Sequence, residues 1–414
     1  MKKIVLINSY SDNNKGDLGI ILGTIKTLKE SNQNCEISAI SSFAKKDIFF
    51  KTEHEELKKY VTKIVPTVIG RVDNKSLLGK IIKVMTDYFK IFFINFSPKF
   101  LLKIYLKMFH KEILSEILSS DLIISKGGSF LCNRDNYIDK IRLDRELTIF
   151  KLCLRFNKKI IIWGQSIGPV YGKYSNWNLR KVLSQTKLIV VREEQCLSSY
   201  DYIFKDLDNL VSGHDLAFSM DYYNENNNTK AFKKGCKLNI GLTLKHYNDS
   251  ISNNKYLNLI KELIIKLNDN YECNFHFVPH VTIDPDLDQV KELVSRLPSS
   301  IDQRCIFVDE NNYSINKLLD IYNNKDLVIG TRLHSTIFTL ITNTRVINIG
   351  YHGTKAQGVF KDAGLENYQF HIDVKGDLIL KSIYFLLKNK FDFSEKLSNI
   401  RKDNLKICNQ ILKL

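Results

Sequence analysis

The sequence predicts an α/β protein with two Rossmann-like domains that face a cleft. Its 414 residues exceed what one ordinary hydrophobic core accommodates, so two domains of roughly 200 residues each are expected. Short apolar runs alternate along the chain with segments whose apolar residues recur at helical spacing, which is typical of a parallel sheet wrapped by helices. A polar, Asn-rich stretch at 221–235 interrupts this alternation and indicates a linker.

The first series begins with an apolar run at 4–7, which ends in a polar loop and leads into a helical pattern. Further strands are expected at 122–125, 160–163 and 188–191, each followed by a small polar loop and a helix-like segment. We therefore predict an N-terminal α/β domain at 1–220. A basic helical insertion at 75–118 breaks the alternation within it.

The second series predicts a C-terminal α/β domain at 235–392, followed by a helix at 393–414. Its expected strands are at 238–243, 273–277, 305–308, 327–329 and 346–349. Its expected helices are at 255–268, 285–297, 315–323 and 332–341. In sheets of this kind, ligands are expected beyond the carboxyl ends of the strands.

The insertion at 75–118 is rich in Lys, Phe, Ile and Leu, and it admits two interpretations. A pair of basic amphipathic helices could lie on an anionic membrane. The same helices could instead pack on the sheet with their lysines at the rim. The formal net charge of +16, from 61 Lys and Arg against 45 Asp and Glu, favours phosphate-rich ligands, nucleic acid or an anionic membrane without choosing among them.

Cysteine usage and the amino terminus indicate a cytoplasmic protein with reduced thiols. The eight cysteines form no Cys-x-x-Cys pair, and the apolar run after Met1 is too short for a signal peptide. No uninterrupted apolar run approaches the ~18–20 residues of a membrane-spanning helix. We therefore expect a protein that does not cross a bilayer, while peripheral contact at the inner face of a membrane stays open.

The strongest functional motif is IGTRLHSTI at 329–337, followed by YHGTK at 351–355. The pattern predicts a buried strand, a helix that starts near Arg332, and a second strand that releases a loop with Lys355. A helix N-terminus attracts anions, and the side chains of Arg332, His334 and Lys355 add cationic groups. We predict a site for phosphate, carboxylate or both, although His334 could also be a structural imidazole near a helix start.

Four other strand ends carry polar or glycine-rich motifs: NKGD at 14–17, SKGGS at 125–129, WGQSIGP at 163–169 and VREE at 191–194. Glycines in such loops let a ligand approach the main chain. Asp17 could cap the first helix or accept a ligand hydroxyl. Arg192 could point into the cleft, or it could form an ion pair with Glu193 or Glu194.

A metal site was considered around His280, because Asp284, Asp286 and Asp288 follow it closely. No second histidine lies at ligand spacing, and helix capping explains the acidic residues. No metal is predicted.

Taken together, these loops resemble the polysaccharide pyruvyl transferase family, in the family's order. The resemblance rests on NKGD, GGS, GQSIGP, VRE, DLAF at 215–218, RLH and the YHGTK loop, and it covers about residues 4–364. It implies a GT-B-like fold and transfer of an enolpyruvate unit from phosphoenolpyruvate to a sugar, usually as a cyclic ketal. The chain departs from the family pattern at Lys126, at His214 and in the long basic insertion.

By this resemblance, the side chains that hold the donor are Arg192, Arg332, His334, Ser335 and Lys355. The residues expected at the acceptor are Asn14, Asp17, Gly127, Gly128, Ser129, Arg134 and Gln165. The implied catalytic groups are His334 as general acid, with Arg332 and Lys355 neutralising the phosphate. We further expect the guanidinium of Arg192 to approach the other donor residues across the interdomain cleft.

The implied partners are phosphoenolpyruvate as co-substrate, a glycan or lipid-linked sugar acceptor and an anionic membrane surface. No cofactor and no nucleic acid are expected. Two other functions stay open. One is a GT-B glycosyltransferase that uses a nucleotide-sugar donor, because fold does not fix chemistry. The other is an anion-binding or membrane-associated scaffold without enzymatic activity.

Overall fold

The computed structural model describes residues 1–70, 77–222, 231–247, 249–281, 286–308, 314–350 and 354–414. The chain divides into two compact units, which interleave along the sequence. Unit 1 contains Met1–Asp12, Ile20–Ser219 and Asp403–Leu414. Unit 2 contains Asn13–Gly19 and Met220–Lys402.

Unit 1 is built on a parallel sheet of eight strands. The strands are β1 (Lys2–Ser9), β2 (Cys35–Ala44), β3 (Ile64–Thr67), β4 (Leu122–Ser125), β5 (Gly128–Leu131), β6 (Ile160–Ile167), β7 (Leu188–Val191) and β8 (Leu210–Ser212). Their order is β3-β2-β1-β4-β6-β7-β8, with β5 paired to β6. The strand order reverses between β1 and β4, and the crevice at such a switch point is where open α/β sheets bind ligands.

Helices cover the sheet of unit 1 because its central strands are buried along their whole length. The helices are α1 (Lys15–Ser31), whose first turn belongs to unit 2, α2 (Ile48–Thr52), α3 (Leu77–Phe96), α4 (Lys99–Phe109), α5 (Lys111–Ser119), α6 (Tyr137–Arg155), α7 (Lys173–Leu183), α8 (Gln195–Ser199) and α9 (Asp201–Phe204). Short 3-10 turns lie at Leu57–Lys59 and Leu216–Ser219. The insertion predicted as a helix pair therefore forms three helices, α3 to α5.

Unit 2 repeats this plan with six parallel strands. They are β9 (Lys237–Thr243), β10 (Glu272–Phe277), β11 (Cys305–Phe307), β12 (Leu327–Gly330), β13 (Val346–Gly350) and β14 (Gln369–His371). The order β11-β10-β9-β12-β13-β14 places the switch point between β9 and β12. The residues that follow β9, β10, β12 and β13 thus emerge at one edge of the sheet.

The helices of unit 2 follow its strands in alternation. They are α10 (Ser250–Asn270), α11 (Asp286–Ser295), α12 (Ser299–Asp302), α13 (Ile315–Asn323), α14 (Leu333–Ile341), α15 (Thr354–Asp362), α16 (Gly376–Lys388) and α17 (Ser394–Lys413), with a 3-10 turn at Glu366–Tyr368. Tyr256, Phe275, Phe338 and Phe360 are fully buried and form part of its core. Among the described residues, no helix combines the length and apolar character that crossing a bilayer requires.

Residues 13–19 belong to a different unit from the one predicted, and the helix predicted at 393–414 is divided between the two units. Residues 13–19 pack in unit 2 rather than in an N-terminal domain at 1–220. The physical reason is a set of close contacts: Asn14 forms an antiparallel bridge with Val281, and Gly19 lies against the ring of Phe338. Residues 403–414, the second half of α17, pack in unit 1, where Asn404 Nδ2 donates to Ser219 Oγ at 3.1 Å.

The predicted α/β class with two Rossmann-like sheets is confirmed. The strands expected at 122–125 and 188–191 coincide with β4 and β7. Five short or polar strands were missed: β2, β3, β5, β8 and β14. They lack the continuous apolar run on which the prediction depended, as the sequence CEISAISSFA of β2 illustrates.

Candidate functional site

The carboxyl end of β12 delivers the chain directly to the N-terminus of α14. Arg332 occupies the N-cap position in an extended conformation, and the helix begins at Leu333. A side chain at Gly330 would lie 2.6 Å from Thr336 Cγ2 and 2.7 Å from Ser335 Oγ, so only glycine lets the helix return this closely over the strand. The first backbone N–H groups of α14 therefore lie at the switch point of the sheet, with the positive end of the helix dipole.

Arg332 is held by a two-point ion pair with Asp286. Its Nε donates to Oδ2 of Asp286 at 2.8 Å, and its Nη2 donates to Oδ1 at 2.9 Å. Asp286 is buried in the first turn of α11. Sequence reasoning assigned Asp286 to helix capping and did not predict that it orients the arginine of the anion site.

Ser335 is completely buried. Its hydroxyl donates to the carbonyl oxygen of Arg332 at 2.6 Å and lies 2.7 Å from the hydroxyl of Thr243, the last residue of β9. These contacts join the two strands on either side of the switch point. The predicted contact of Ser335 with a donor stays a prediction, while its described contacts position the start of α14.

His280, which the sequence analysis weighed only as a metal ligand, also lies in this group of residues. It follows β10, is only 3% exposed, and its ring lies 5.2 Å from that of Phe338. Neither ring nitrogen has a hydrogen-bond partner within the described part of the chain. Burial, followed by the nearby charges of Arg332, His334 and Lys15, holds the pKa of His280 well below its ordinary range, so the imidazole is neutral at neutral pH.

One of the acidic residues near His280 makes a different contact in the structure. The described residues contain no cluster of three His, Cys, Asp or Glu side chains that could hold a metal ion. Asp286, one of the acids considered, is bound to Arg332 instead, and Asp284 lies outside the described residues. A buried polar ring without partners costs free energy, and such groups concentrate where a ligand completes the hydrogen bonds.

His334 lies in the first turn of α14, with its ring 6.3 Å from that of Phe338. Gly16 packs directly against it: a Cβ atom on Gly16 would lie 2.4 Å from Nδ1 and 2.6 Å from Cγ of the imidazole. The backbone N–H of Lys15 donates to the carbonyl oxygen of His280 at 3.4 Å. The NKGD segment therefore belongs to the same group of residues as His280 and His334.

Asn14 rather than Asp17 caps α1. The side-chain oxygen of Asn14 accepts from the backbone N–H of Asp17 at 3.3 Å, and its Nδ2 donates to Asp17 Oδ2 at 2.7 Å. The cap expected of Asp17 is thus corrected, because the residue lies inside the first turn. Both residues were predicted at the acceptor through the N-terminal domain, but they pack in unit 2.

We expect Gly16→Ala to displace the His334 ring and to lower any activity that depends on that ring by about 10- to 100-fold, since small misplacements of reacting groups cost this much. The fold is expected to persist, since alanine is favoured inside a helix. Steady-state rates measure the effect. In a double variant with His334→Gln, Gly16→Ala should add nothing further; fully additive losses would show that Gly16 does not act through His334.

Lys355 lies in the first turn of α15 and not in a loop as predicted. The helix begins at Thr354, immediately after the segment 351–353, which lies outside the described residues. β13 pairs with β12 through Gly330 and Asn348, so Lys355 and Arg332 follow neighbouring strand ends. A lysine in the first turn adds positive charge beside the N-terminal N–H groups of α15.

In unit 1, the side chain of Arg192 is buried in an ion network. It is 2% exposed, its Nη1 lies 2.7 Å from Asp215 Oδ2, and its Nε lies 3.2 Å from Glu193 Oε2 and 2.7 Å from Ser166 Oγ. Burial alone would lower its pKa, but the two carboxylates outweigh burial and the pKa is raised. The predicted ion pair with Glu193 is present, while contact with a donor stays a prediction.

The residues predicted as loops at the acceptor are largely strand. Gly128 and Ser129 open β5, and Gln165 lies within β6, which continues past the predicted end at 163. A Cβ atom on Gly127 would lie 2.3 Å from the carbonyl oxygen of Gly164, which explains how β5 can approach β6. Arg134 is 76% exposed and pairs with Asp139 at 2.5 Å. Their contact with an acceptor stays a prediction.

A polar cavity of about 350 Å³ lies at the carboxyl ends of β1, β2 and β3 in unit 1. Asn8, Ser41, Thr67, Arg142 and Glu146 contribute its polar lining. Asn8 takes a positive φ of 62° at the end of β1, and its Nδ2 donates to Glu146 Oε2 at 2.9 Å. Sequence reasoning missed this cavity because β2 and β3 were not predicted.

These two sheets and their order define a fold of the GT-B class. The UDP-GlcNAc 2-epimerase from Methanocaldococcus jannaschii has a TM-score of 0.58, with 12% identity and 100% coverage of both chains. A putative UDP-N-acetylglucosamine 2-epimerase from Listeria monocytogenes has a TM-score of 0.54, with 10% identity, 99% coverage of this chain and 94% of that one. At such identities the likeness establishes the fold and not the substrate.

The sequence itself defines the family. A family model described as "Polysaccharide pyruvyl transferase" matches residues 14–353 of the 414. This chain therefore belongs to the polysaccharide pyruvyl transferase family. The "Amylovoran biosynthesis protein AmsJ" of Erwinia amylovora is 23% identical over 392 residues, which cover 88% of this chain and 86% of that protein.

Proposed function

We propose that this enzyme transfers a pyruvyl unit from phosphoenolpyruvate to two hydroxyls of a sugar in a cell-surface polysaccharide or its precursor, and forms a pyruvate ketal. Family membership supports the class of reaction. The observation that carries the choice of donor is the buried His280, whose two ring nitrogens lack hydrogen-bond partners among the described residues. It stands beside Arg332 and His334, where a small anion would complete its hydrogen bonds.

Phosphoenolpyruvate suits this arrangement because it carries a phosphate and a carboxylate on a three-carbon frame. The N–H groups at the start of α14 and the guanidinium of Arg332 favour an anion. Asp286 fixes the plane of that guanidinium at two points, and a preoriented arginine loses less entropy on binding. A neutral His280 can donate one N–H to a phosphate or carboxylate oxygen without adding charge.

The proposed reaction has two steps. A proton is delivered to the methylene carbon C3, C2 takes on oxocarbenium character, and the oxygen of one sugar hydroxyl bonds to C2 and loses its proton. The C2–O bond to phosphate then breaks, the second hydroxyl oxygen bonds to C2 with loss of its proton, and inorganic phosphate leaves. We assign the protonation of C3 to His334, since imidazole suits proton transfer near neutral pH. Lys355 would neutralise the departing phosphate.

The polar cavity of unit 1 is our candidate for part of the acceptor site. A sugar needs several hydrogen-bond donors and acceptors around a modest volume, and the cavity of about 350 Å³ offers amide, hydroxyl, carboxylate and guanidinium groups. The ion pairs and hydrogen bonds of its lining, such as that between Asn8 and Glu146, hold these groups in place. Residues 127–129, 134 and 165 remain candidates in the same unit.

Ligand-induced thermal stabilisation tests the donor directly. Phosphoenolpyruvate should raise the melting temperature, since a ligand that binds only the folded state stabilises by RT ln(1 + [L]/Kd). UDP and CMP ligands should not, and inorganic sulfate at the same concentration serves as the control for unspecific anion binding. Stabilisation by UDP but not by phosphoenolpyruvate would instead favour the nucleotide-sugar glycosyltransferase. Release of inorganic phosphate in the presence of a diol sugar would exclude a scaffold without activity.

A further inference from the structure

Helices α3 and α4 expose a continuous set of large apolar side chains on unit 1. On α3 they recur at intervals of three and four residues, at Ile82, Met85, Phe89, Phe92 and Phe96. Eight of the exposed side chains on the two helices are each at least 63% exposed: Leu78, Met85, Phe89, Phe92, Phe96, Phe100, Met108 and Phe109. Monomeric soluble proteins rarely leave so many large apolar side chains together in water, and such surfaces mark interaction sites.

The exposed face is not the result of a helix that has failed to pack. Ile91, Ile94, Leu102 and Leu106 on the opposite faces are buried in the core of unit 1. Asp87 of α3 is buried too; it accepts a hydrogen bond from Lys83 Nζ at 2.6 Å and forms an ion pair with Arg145 of α6, whose Nε lies 3.0 Å away. Both helices are therefore fixed to the domain while their outer faces remain apolar.

The same helices are strongly basic. They contain six lysines and one aspartate. On α4, Lys99, Lys103 and Lys107 follow each other at intervals of four residues, and the apolar Phe100, Ile104 and Met108 stand next to them in the same spacing. Residues four apart lie on one face of a helix, so a row of ammonium groups runs alongside a row of apolar side chains.

Two neighbouring cavities also combine apolar side chains with lysines. One, of about 430 Å³, is almost entirely apolar and is lined by Met85, Phe89, Phe93 and Tyr105 with Thr86 and Lys90. The other, of about 490 Å³, shares Thr86 and Lys90 with the first and includes the lysines at 45, 46, 83 and 111. Burial, and then the charge of Lys83, lower the pKa of Lys90, while the carboxylates of Asp87 and Asp47 act in the opposite direction. The lining of the second cavity includes these two carboxylates and that of Glu112, and Lys83 and Lys45 form ion pairs with Asp87 and Glu112.

We infer that α3 and α4 dock on the surface of an anionic phospholipid bilayer, with their apolar faces among the acyl chains and lipid phosphates near the exposed Lys99, Lys103 and Lys107 of α4. Charge complementarity selects this occupant. A second copy of the chain would bring the same lysines to the interface and repel the first. A neutral apolar partner would leave the lysines without counter-charge. An anionic bilayer satisfies both the apolar faces and the lysine rows.

Vesicle flotation with the full-length protein, without phosphoenolpyruvate, tests this inference independently of the proposed reaction. The protein should bind vesicles made of equal parts phosphatidylcholine and phosphatidylglycerol at low salt, and it should bind phosphatidylcholine vesicles at least about tenfold more weakly. High salt should weaken binding to the anionic vesicles. Equal binding to both compositions, or no binding to either at low salt, would overturn the inference.

The double variant Phe92→Glu/Phe96→Glu should lose at least about tenfold in affinity for the anionic vesicles, since each buried phenyl ring contributes at least that factor. Both side chains are exposed, so thermal melting should be unchanged. Phe385→Glu is the matched control, because Phe385 is 58% exposed on α16 of unit 2; its vesicle binding should equal that of the wild type. Vesicle binding by the double variant that equals wild-type binding would contradict the membrane as the occupant. So would a wild-type protein that is a dimer in solution and a double variant that is a monomer, because the surface would then bind a second copy of the chain.

Discussion

Replacing His334 with Gln is expected to lower the rate of pyruvyl transfer by at least ~100-fold, the usual scale of an acid–base contribution, while the protein remains folded. Glutamine keeps a polar side chain of similar length but cannot donate a proton to carbon. The ring of His334 is in the first turn of α14, where the helix N-terminus and Arg332 would hold the phosphate of the donor. The initial rate of phosphate release with a sugar acceptor measures the loss.

The control for this variant is His276→Gln. His276 lies on β10, with its Nε2 atom 3.4 Å from Asn239 Oδ1, and burial lowers its pKa to about 4. It is therefore neutral in the working range and should not contribute to proton transfer. The rate of His276→Gln should therefore equal that of the wild type. Wild-type turnover by His334→Gln would refute the assignment.

Replacing Arg192 with Met is expected to destabilise the protein by about 3–5 kcal/mol, the usual cost of removing one partner from a buried ion pair. Two carboxylates, those of Glu193 and Asp215, would remain buried without the guanidinium that now compensates them. Ser166 would lose its hydrogen bond to Nε as well. Urea unfolding of the full chain measures the change in the free energy of unfolding.

The matched control is Arg134→Met. Arg134 also forms an ion pair, with Asp139, but its side chain is 76% exposed, and exposed pairs contribute at most about 1 kcal/mol. If Arg192→Met lowers the free energy of unfolding by no more than Arg134→Met does, the ion network around Arg192 does not stabilise unit 1. A stable Arg192→Met variant that no longer binds phosphoenolpyruvate would favour direct donor contact by Arg192 instead.

Much of the fold could be predicted because most core strands of both units carry uninterrupted apolar runs. The runs at 327–329 and 346–349 each differ from β12 and β13 by a single residue at the end. The strands without such runs could not be found this way: β3 contains a proline, and β14 is only three residues long. Pairing with a neighbouring strand, rather than local hydrophobicity, makes these segments extended.

The grouping of candidate residues could be predicted where sequence neighbours are also spatial neighbours. Arg332 and His334 were placed together because both lie at one strand-to-helix junction. His280 and Asp286 reach the same group from the carboxyl side of β10, a relation that depends on the strand order. His280 lies three residues after the predicted strand at 273–277, which neighbours a strand at the switch point. This position would have indicated a site residue only if the order of the strands in the sheet had been known.

The interleaving of the two units has a consequence for how this enzyme can diverge. The seven residues Asn13–Gly19 complete the surroundings of His334, yet they are encoded far from the rest of unit 2. A recombination event that exchanged the second half of the gene would separate Gly16 from the imidazole against which it packs. The packing of the N-terminal motif on α14 is kept only when both segments are inherited together, whereas the outer faces of α3 and α4 lie in a contiguous stretch that can vary without disturbing that packing.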